Sequence, residues 1–428
     1  MKVCVHGDSL HAWVASAVFA ETGNRVMLDA PADSPFPGRE PGLSELVEEQ
    51  RTTGRLIIVT SEELYAADAN IHVIAAGHEM DVIRSTMVGI MAGASRAVTL
   101  LVMASLPVGS LDDLQAFADA RVAGAGAQFP VTVIGMPVFI RAGSALADFN
   151  RPAMLLISGE QTSRAVQSVL ELMRPFARQA EHVMIVSHPT AELIKMGITS
   201  MLAMRISFIN EMAALSEKLG VDIEQVREGL AADPRIGGAY LQPGCGFGGP
   251  SFASDLLSYS RTFKEELEVS GLIDAVITIN QSQREILFRK LWRFFKGKLG
   301  GLRIAIWGAS FKPGTASIEN SVIHPLLHAL WAQGCNTVVY DPMASGTLRQ
   351  QYPDEARLSM ADTAVAAANG ADALVIVTEW DEFWNPDFEE LRAVLKQPAI
   401  FDGRNIYDPD FLIEQGFRYF GIGRGERI

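Results

Sequence analysis

Cysteine is scarce in this chain: three in 428 residues, Cys4, Cys245 and Cys335. They lie far apart and form no C-x-x-C pair, which argues against a disulfide framework or a zinc site and fits a cytoplasmic location. Positive charge is also in deficit. The formal net charge is −14, so nucleic acid is not expected as a main partner, because phosphate backbones need a basic surface. An acidic chain can still hold a nucleotide through backbone amides and a few Lys or Arg. No apolar run reaches the ~18 residues of a membrane span. The N-terminus enters a strand directly, without the charged and apolar regions of a signal peptide. Neither a membrane anchor nor a leader is expected. Low-complexity segments and short-period repeats are missing as well.

What is there is a strongly alternating α/β pattern. At ~100–200 residues per domain, 428 residues with 48% hydrophobic content make two or three domains. Residues 1–6 read as a strand, followed by Gly7, a helix over 12–21 and a strand over 24–28 that ends in Asp29. Strand, glycine turn, helix, strand and acid is the order of a dinucleotide-binding βαβ unit. Buried strands at 55–60, 71–75, 97–103, 131–135 and 154–158 extend it into a doubly wound parallel sheet. Residues 190–219 form one long helical pattern with almost no breakers, and Gly220 supplies a C-cap. Such a helix spans ~45 Å at ~1.5 Å per residue. It is expected to link two domains and carry a dimer contact, and a buried core helix is compatible with both. A further helix covers 222–230. A second α/β unit begins at Leu302, with strands at 336–340 (ending at Asp341), 373–378 and 399–401. The expected fold is α/β, with two Rossmann-like doubly wound domains joined by a long central helix and a helical middle domain. The boundaries are 1–185, 186–295 and 296–428.

One loop, PGCGFGGPSFASD at 243–255, closely resembles the active-site loop of UDP-glucose/GDP-mannose dehydrogenases, roughly PGxGFGGSCFPKD. Other segments match that family in order: EPGLSELV at 40–47, LPVGS at 106–110, the helix text at 207–237, SFKPGT at 310–315, VTEWDEF at 377–383 and FDGRNIYDP at 401–409. The resemblance implies two hydride transfers to NAD, with a cysteine thiolate trapping the aldehyde and a thioester hydrolysed at the end. It implies a UDP-sugar substrate such as UDP-glucose, a homodimer and a polysaccharide-synthesis context.

Carried over position by position, the resemblance shows substitutions. The nucleophile position is Ser251, and a serine hydroxyl is a poor nucleophile without an adjacent base. Cys245 lies six residues upstream and substitutes only if the loop rearranges. The loop's Lys is Ser254, while its Asp is kept as Asp255. The Lys and Asn of the central helix correspond to Lys195 and Thr199, and Lys195 can still polarise an oxyanion. The two glutamates of PEFLREG become Val138 and Ala142, which cannot act as bases. The hydroxyl after VxST is represented by Ser105, set beside both the reaction and the cofactor.

On the cofactor side, G-x-G-x-x-G becomes Gly7-Asp8-Ser9-Leu10-His11-Ala12. Ser9 puts a side chain where backbone should meet the pyrophosphate, and Asp8 adds a repelling charge. Asp29 remains for a ribose hydroxyl. About half a dozen residues are missing before EPGL, VGTP becomes AGHE at 76–79, and Glu319 stands where an NAD-facing Arg is expected. Tight NAD binding is therefore not expected. The sugar-nucleotide side keeps Arg235, Gly246, Phe247, Gly248, Gly249, Lys312 and Arg404, which offer amides and positive charge to phosphates. The alternative is that the glycines only permit a tight turn.

His324 and His328, one turn apart, have no acid beside them, so no metal site is expected. GPSFA is not a hydrolase nucleophile elbow, and the aromatic cluster at 288–295 reads as packing. Two functional readings follow. One is a family member that binds a nucleotide sugar without oxidising it and partners an active paralogue. The other is a working NAD-dependent UDP-sugar 6-dehydrogenase with an atypical site. Formation of NADH separates them.

Overall fold

The computed structural model describes all residues except 32–33, 35–38, 66, 70, 76, 78, 125–128 and 425–428. The chain divides into two compact units, Met1–Ile198 and Thr199–Ile428.

The first unit is built on six parallel strands in the order β3-β2-β1-β4-β5-β6. They are β1 (Lys2–His6), β2 (Arg25–Asp29), β3 (Leu56–Val59), β4 (Ile71–Ile74), β5 (Val98–Val102) and β6 (Val131–Gly135). Every residue of β4 and β5 is buried, as expected where helices cover both faces of a parallel sheet. The helix Leu10–Glu21 buries nine consecutive residues, Ala12 to Ala20, so it lies inside the unit rather than on it. Its Phe19 packs edge-on to Phe149 at 5.6 Å, and Phe149 in turn to Phe176 at 5.4 Å. A separate parallel pair, β7 (Met154–Ser158) and β8 (His182–Val186), completes the unit. Sequence reading expects β7 in the main sheet, but it pairs apart from it with β8. The reading passes over β8 although residues 183–186 are an apolar run; the first three residues of β8 are exposed.

The helix His188–Leu219 runs for 32 residues, about 48 Å at ~1.5 Å per residue. The division between the two units, after Ile198, falls within it.

The second unit carries four more helices, Ile223–Ala232, Phe252–Leu267, Gly271–Gln283 and Ile286–Phe294, and then a second parallel sheet. Its order is β11-β10-β9-β12-β13-β14. The strands are β9 (Arg303–Trp307), β10 (Asn336–Tyr340), β11 (Leu358–Met360), β12 (Ala373–Ile376), β13 (Ala399–Asp402) and β14 (Arg418–Phe420). Successive strand residues point to opposite faces. Ile304, Ile306, Val375 and Phe401 pack one core with the helices Ile286–Phe294 and Ile323–Ala332. Ala305, Trp307, Leu374 and Ile400 pack the other with Phe383, Leu391 and Tyr407. Both sheets share the 3-2-1-4-5-6 order that puts a switch point at the carboxyl ends of the first and fourth strands.

Candidate functional site

In the first unit the switch point lies between β1 and β4, where a doubly wound sheet binds its ligand. Gly7 leaves β1 with φ +118° and Ser9 caps the following helix. The Ser9 hydroxyl accepts from the Ala12 amide at 3.2 Å and donates to the Ala75 carbonyl, just beyond β4, at 2.6 Å. One side chain thus engages a helix-terminal amide and spans the crevice from β1 to β4. Asp29, at the end of β2, accepts from the Ser61 hydroxyl at 2.7 Å. The Trp13 indole donates to Ser34 at 3.1 Å. Asp8 is exposed in the turn before the helix. The AGHE segment falls partly outside the described residues, since 76 and 78 are among those omitted.

Just behind the turn sits a pair that sequence reading missed. His6 Nε2 and His72 Nδ1 lie 3.0 Å apart, both rings nearly inaccessible, and His6 stacks on Tyr65 with centroids 5.6 Å apart. Burial, then the neighbouring His72, holds His6 down to about 3; burial, then Arg96, holds His72 down to about 4. The signal was available: histidines at the end of β1 and near the start of β4, two strands that are neighbours in this topology.

Lys195 donates from Nζ to the Val138 carbonyl at 2.9 Å and lies 4.6 Å from the Phe139 ring centroid. Burial, and then Lys195, holds the His11 imidazole down to about 4. Ser105 follows β5, half-buried. The loop after it is held by Glu192, which accepts from the Gly109 and Leu111 amides at 2.7 and 2.8 Å. Burial pushes the Glu192 carboxyl up to about 7 against the pull of those amides.

In the second unit, Ser251 is exposed at the N-cap of the helix Phe252–Leu267 and makes no side-chain cap bond. Among the described residues no hydrogen bond reaches its hydroxyl. Ser254 turns back to donate to the Pro250 and Ser251 carbonyls at 3.0 and 2.9 Å. Asp255 and Thr199 are buried, and both act on Tyr259, whose hydroxyl is pushed above its usual range by burial first and Asp255 second. Cys245 is completely inaccessible, and burial raises its thiol further. It lies in the core beside Gly403 and offers no thiolate.

The glycine loop is bound mainly to its own protein. The amides of Gly244, Cys245, Phe247 and Gly249 donate to Asn210 Oδ1, the Gly403 carbonyl, Asn280 Oδ1 and the Glu319 carbonyl at 2.8–2.9 Å. Asn280 also donates back to the Phe247 carbonyl at 3.1 Å, and Gln283 to that of Gly244 at 2.6 Å. Arg284 ties down the opposing segment through the Asn320 and Ser321 carbonyls, both at 3.1 Å. A Cβ on Gly248 would sit 2.1 Å from the Asn320 carbonyl oxygen. Two further candidate segments meet this loop. Phe311, beside Lys312, packs on Gly249, and Arg404 lies against Gly244. Arg404 donates to the Val377 carbonyl at 2.7 Å and pairs with Glu379 at 3.1 Å. Arg235 is exposed and gripped by Asp233 at 2.6 and 3.0 Å. Asn210, Asn280, Gln283 and Arg284 were not singled out from sequence. Asn280, Gln283 and Arg284 share one helical face at i, i+3 and i+4, which was the readable sign.

His324 and His328 are bridged by the Tyr352 hydroxyl at 2.7 and 3.2 Å. No group of three or more metal-ligating side chains occurs among the described residues, and none of the helices among them is long and apolar enough to cross a membrane.

The sequence profile of the UDP-glucose/GDP-mannose dehydrogenase family's NAD binding domain matches residues 1–177, that of its central domain 189–282, and that of its UDP binding domain 305–409. The UDP-glucose 6-dehydrogenase of Pseudomonas aeruginosa is 35% identical over 99% of this chain and 98% of its own length. That of Rhizobium meliloti is 31% identical over 99% and 100%. Among solved structures, a UDP-glucose dehydrogenase from Pyrobaculum islandicum superposes with a TM-score of 0.86 at 26% identity, covering 99% of this chain and 97% of that one.

Proposed function

The chain belongs to the UDP-glucose/GDP-mannose dehydrogenase family, and we propose that it is a member that keeps a UDP-sugar-binding scaffold without performing the four-electron oxidation. The observation that carries this reading is Ser251. At the nucleophile position stands an exposed hydroxyl that no hydrogen bond reaches among the described residues, and an alcohol needs a base to attack. The positions of the two family glutamates hold Val138 and Ala142. The one cysteine in the loop, Cys245, is sealed in the core.

NAD is the family's cofactor, and the residues here do not fit it. Ser9 bridges Ala12 and Ala75 where a pyrophosphate would approach, and Asp29 is already bonded to Ser61. A dinucleotide would have to break those bonds and accept the Asp8 carboxylate next to its phosphates. The UDP-sugar side rests on Lys312 and on the UDP binding domain match at 305–409. Four amides of the glycine loop and Arg404 are engaged within the protein, and UDP-glucose is the first ligand to test. The reading includes a homodimer in the cytoplasm and a regulatory or structural role beside an active paralogue in polysaccharide synthesis.

Calorimetric titration with UDP-glucose and with NADH tests it. Heat from UDP-glucose and none from NADH is expected. A second reading, an active dehydrogenase with an atypical site, draws on Lys195, which remains at the oxyanion position, and on the dehydrogenase relatives that cover 98–100% of their own length. Steady NADH formation with any nucleotide sugar from a panel would establish it and end the first.

A further inference from the structure

The second unit carries two surface features that the site does not use. Between 284 and 303 the sequence holds seven Lys or Arg and one acid, Glu285, in a chain of net charge −14. The helix Ile286–Phe294 turns Leu287 and Leu291 into the core and leaves a groove of about 480 Å³ lined by Phe288, Arg289, Trp292, Arg293 and Gln333. Trp292 is 42% exposed. Exposed Lys296 and Lys298 flank it, and Gly297 between them packs on the Trp292 ring. Arg293, Lys296 and Lys298 enter no salt bridge among the described residues.

The second feature has the complementary chemistry. Residues 381–390, DEFWNPDFEE, hold five acids and no base. Trp384 stands 51% exposed among them, held by the buried Phe383 and by the helix Phe388–Val394 that follows. The groove helix packs on one face of the sheet, with Ile304 and Phe401; Phe383 packs on the other, with Trp307 and Ile400. One copy therefore cannot bring its own acidic segment to its own groove.

We propose that the groove receives the 381–390 segment of a second copy, with the Trp384 indole packed against the exposed side of the Phe288–Trp292 pair, whose own centroids are 6.0 Å apart, and the acids against Arg293, Lys296 and Lys298. The groove's volume suits one aromatic anchor, and paired aromatic hot spots ringed by opposite charge are a common interface plan. A membrane is the weaker occupant. An interfacial helix must lend its apolar face to lipid, and here that face is in the core. The two surfaces lie on opposite faces of the sheet, so one two-fold interface does not hold both; the contact is head-to-tail and builds chains or a ring larger than a dimer.

Sedimentation velocity on the full-length protein tests this. The wild type is expected to show reversible species larger than a dimer that grow with concentration and shrink as salt shortens the screening length from ~10 Å at ~0.1 M. Arg293→Glu with Lys298→Glu, or Asp381→Lys with Glu389→Lys, should each abolish them. Mixing the two variants should restore them, because both reversed surfaces then meet opposite charge, and that rescue also shows both variants to be folded. Trp384→Ala should weaken assembly at least tenfold. The proposal is overturned if the wild type shows no concentration-dependent growth, if either reversal leaves assembly unchanged, or if the mixture stays disassembled. It also fails if the wild type floats with phosphatidylglycerol vesicles and the groove variant alone loses that binding.

Discussion

The buried pair His6–His72 makes the first unit sensitive to mild acid. In the fold these rings stay neutral down to about 3 and about 4, whereas the ordinary value is 6.5. Folded values below unfolded ones mean that the unfolded chain binds protons first. Stability is thus fully present above 6.5 and is lost as pH falls towards the folded values. At about pH 5 each unfolded histidine lies ~1.5 units below its own value, worth ~2 kcal/mol at ~1.36 kcal/mol per unit, and the pair together loses ~4 kcal/mol. The control is the double variant His6→Leu/His72→Leu, since replacing both partners of a buried polar pair by apolar groups is close to neutral. Hydrogen exchange of the β1 and β4 amides, corrected for intrinsic rates, reads the opening free energy of this region. Between about pH 7.5 and about pH 5 the wild type should lose ~4 kcal/mol more than the double variant. Because Glu192 and His11 titrate equally in both proteins, they cancel. Equal pH dependence in the two would refute the reasoning, and would mean that the pair is either solvated or charged in the fold.

Three further outcomes are expected. Gly248→Ala should lower stability by at least ~1–3 kcal/mol by urea denaturation, because the new Cβ meets backbone rather than a movable side chain; a change under ~0.5 kcal/mol would contradict the close packing. Ser9→Ala should cost ~1–2 kcal/mol, the helix cap and the bond to Ala75 being lost together; an unchanged urea midpoint would show that the hydroxyl is not engaged. Ser251→Cys alone should yield no NADH from UDP-glucose, since Val138, Ala142 and the Ser9 bridge remain; turnover in that single variant would place the whole defect at one atom.

The first sheet and four strands of the second were legible because they are apolar runs, some ended by glycine turns, as at VCVHG and IAIWG. The edge strands β11 and β14, three residues each, were not singled out. The long helix was legible because nothing in 190–219 interrupts it. Strand β8 was passed over although residues 183–186 are themselves an apolar run; its exposure shows only that this run is not in the core. At the site, the family resemblance implies Ser251 in a thiol's place and Val138 in an acid's. What the replacements do instead needed coordinates. That Ser9 joins β4 depends on Ala75, 66 residues away, and that Asp29 is engaged depends on Ser61. The glycine loop was read as a source of amides for phosphate. Its internal partners Asn210, Asn280 and Glu319 come from three separate segments, and only the helical spacing of Asn280 with Gln283 and Arg284 marks any of them locally.

The close approach of Gly248 to Asn320 has a consequence for how such chains are catalogued. A glycine fixed by a backbone contact reports first that a carbonyl has room. A text search keyed on that stretch therefore finds the scaffold, and the reaction has to be read from the side chains around it.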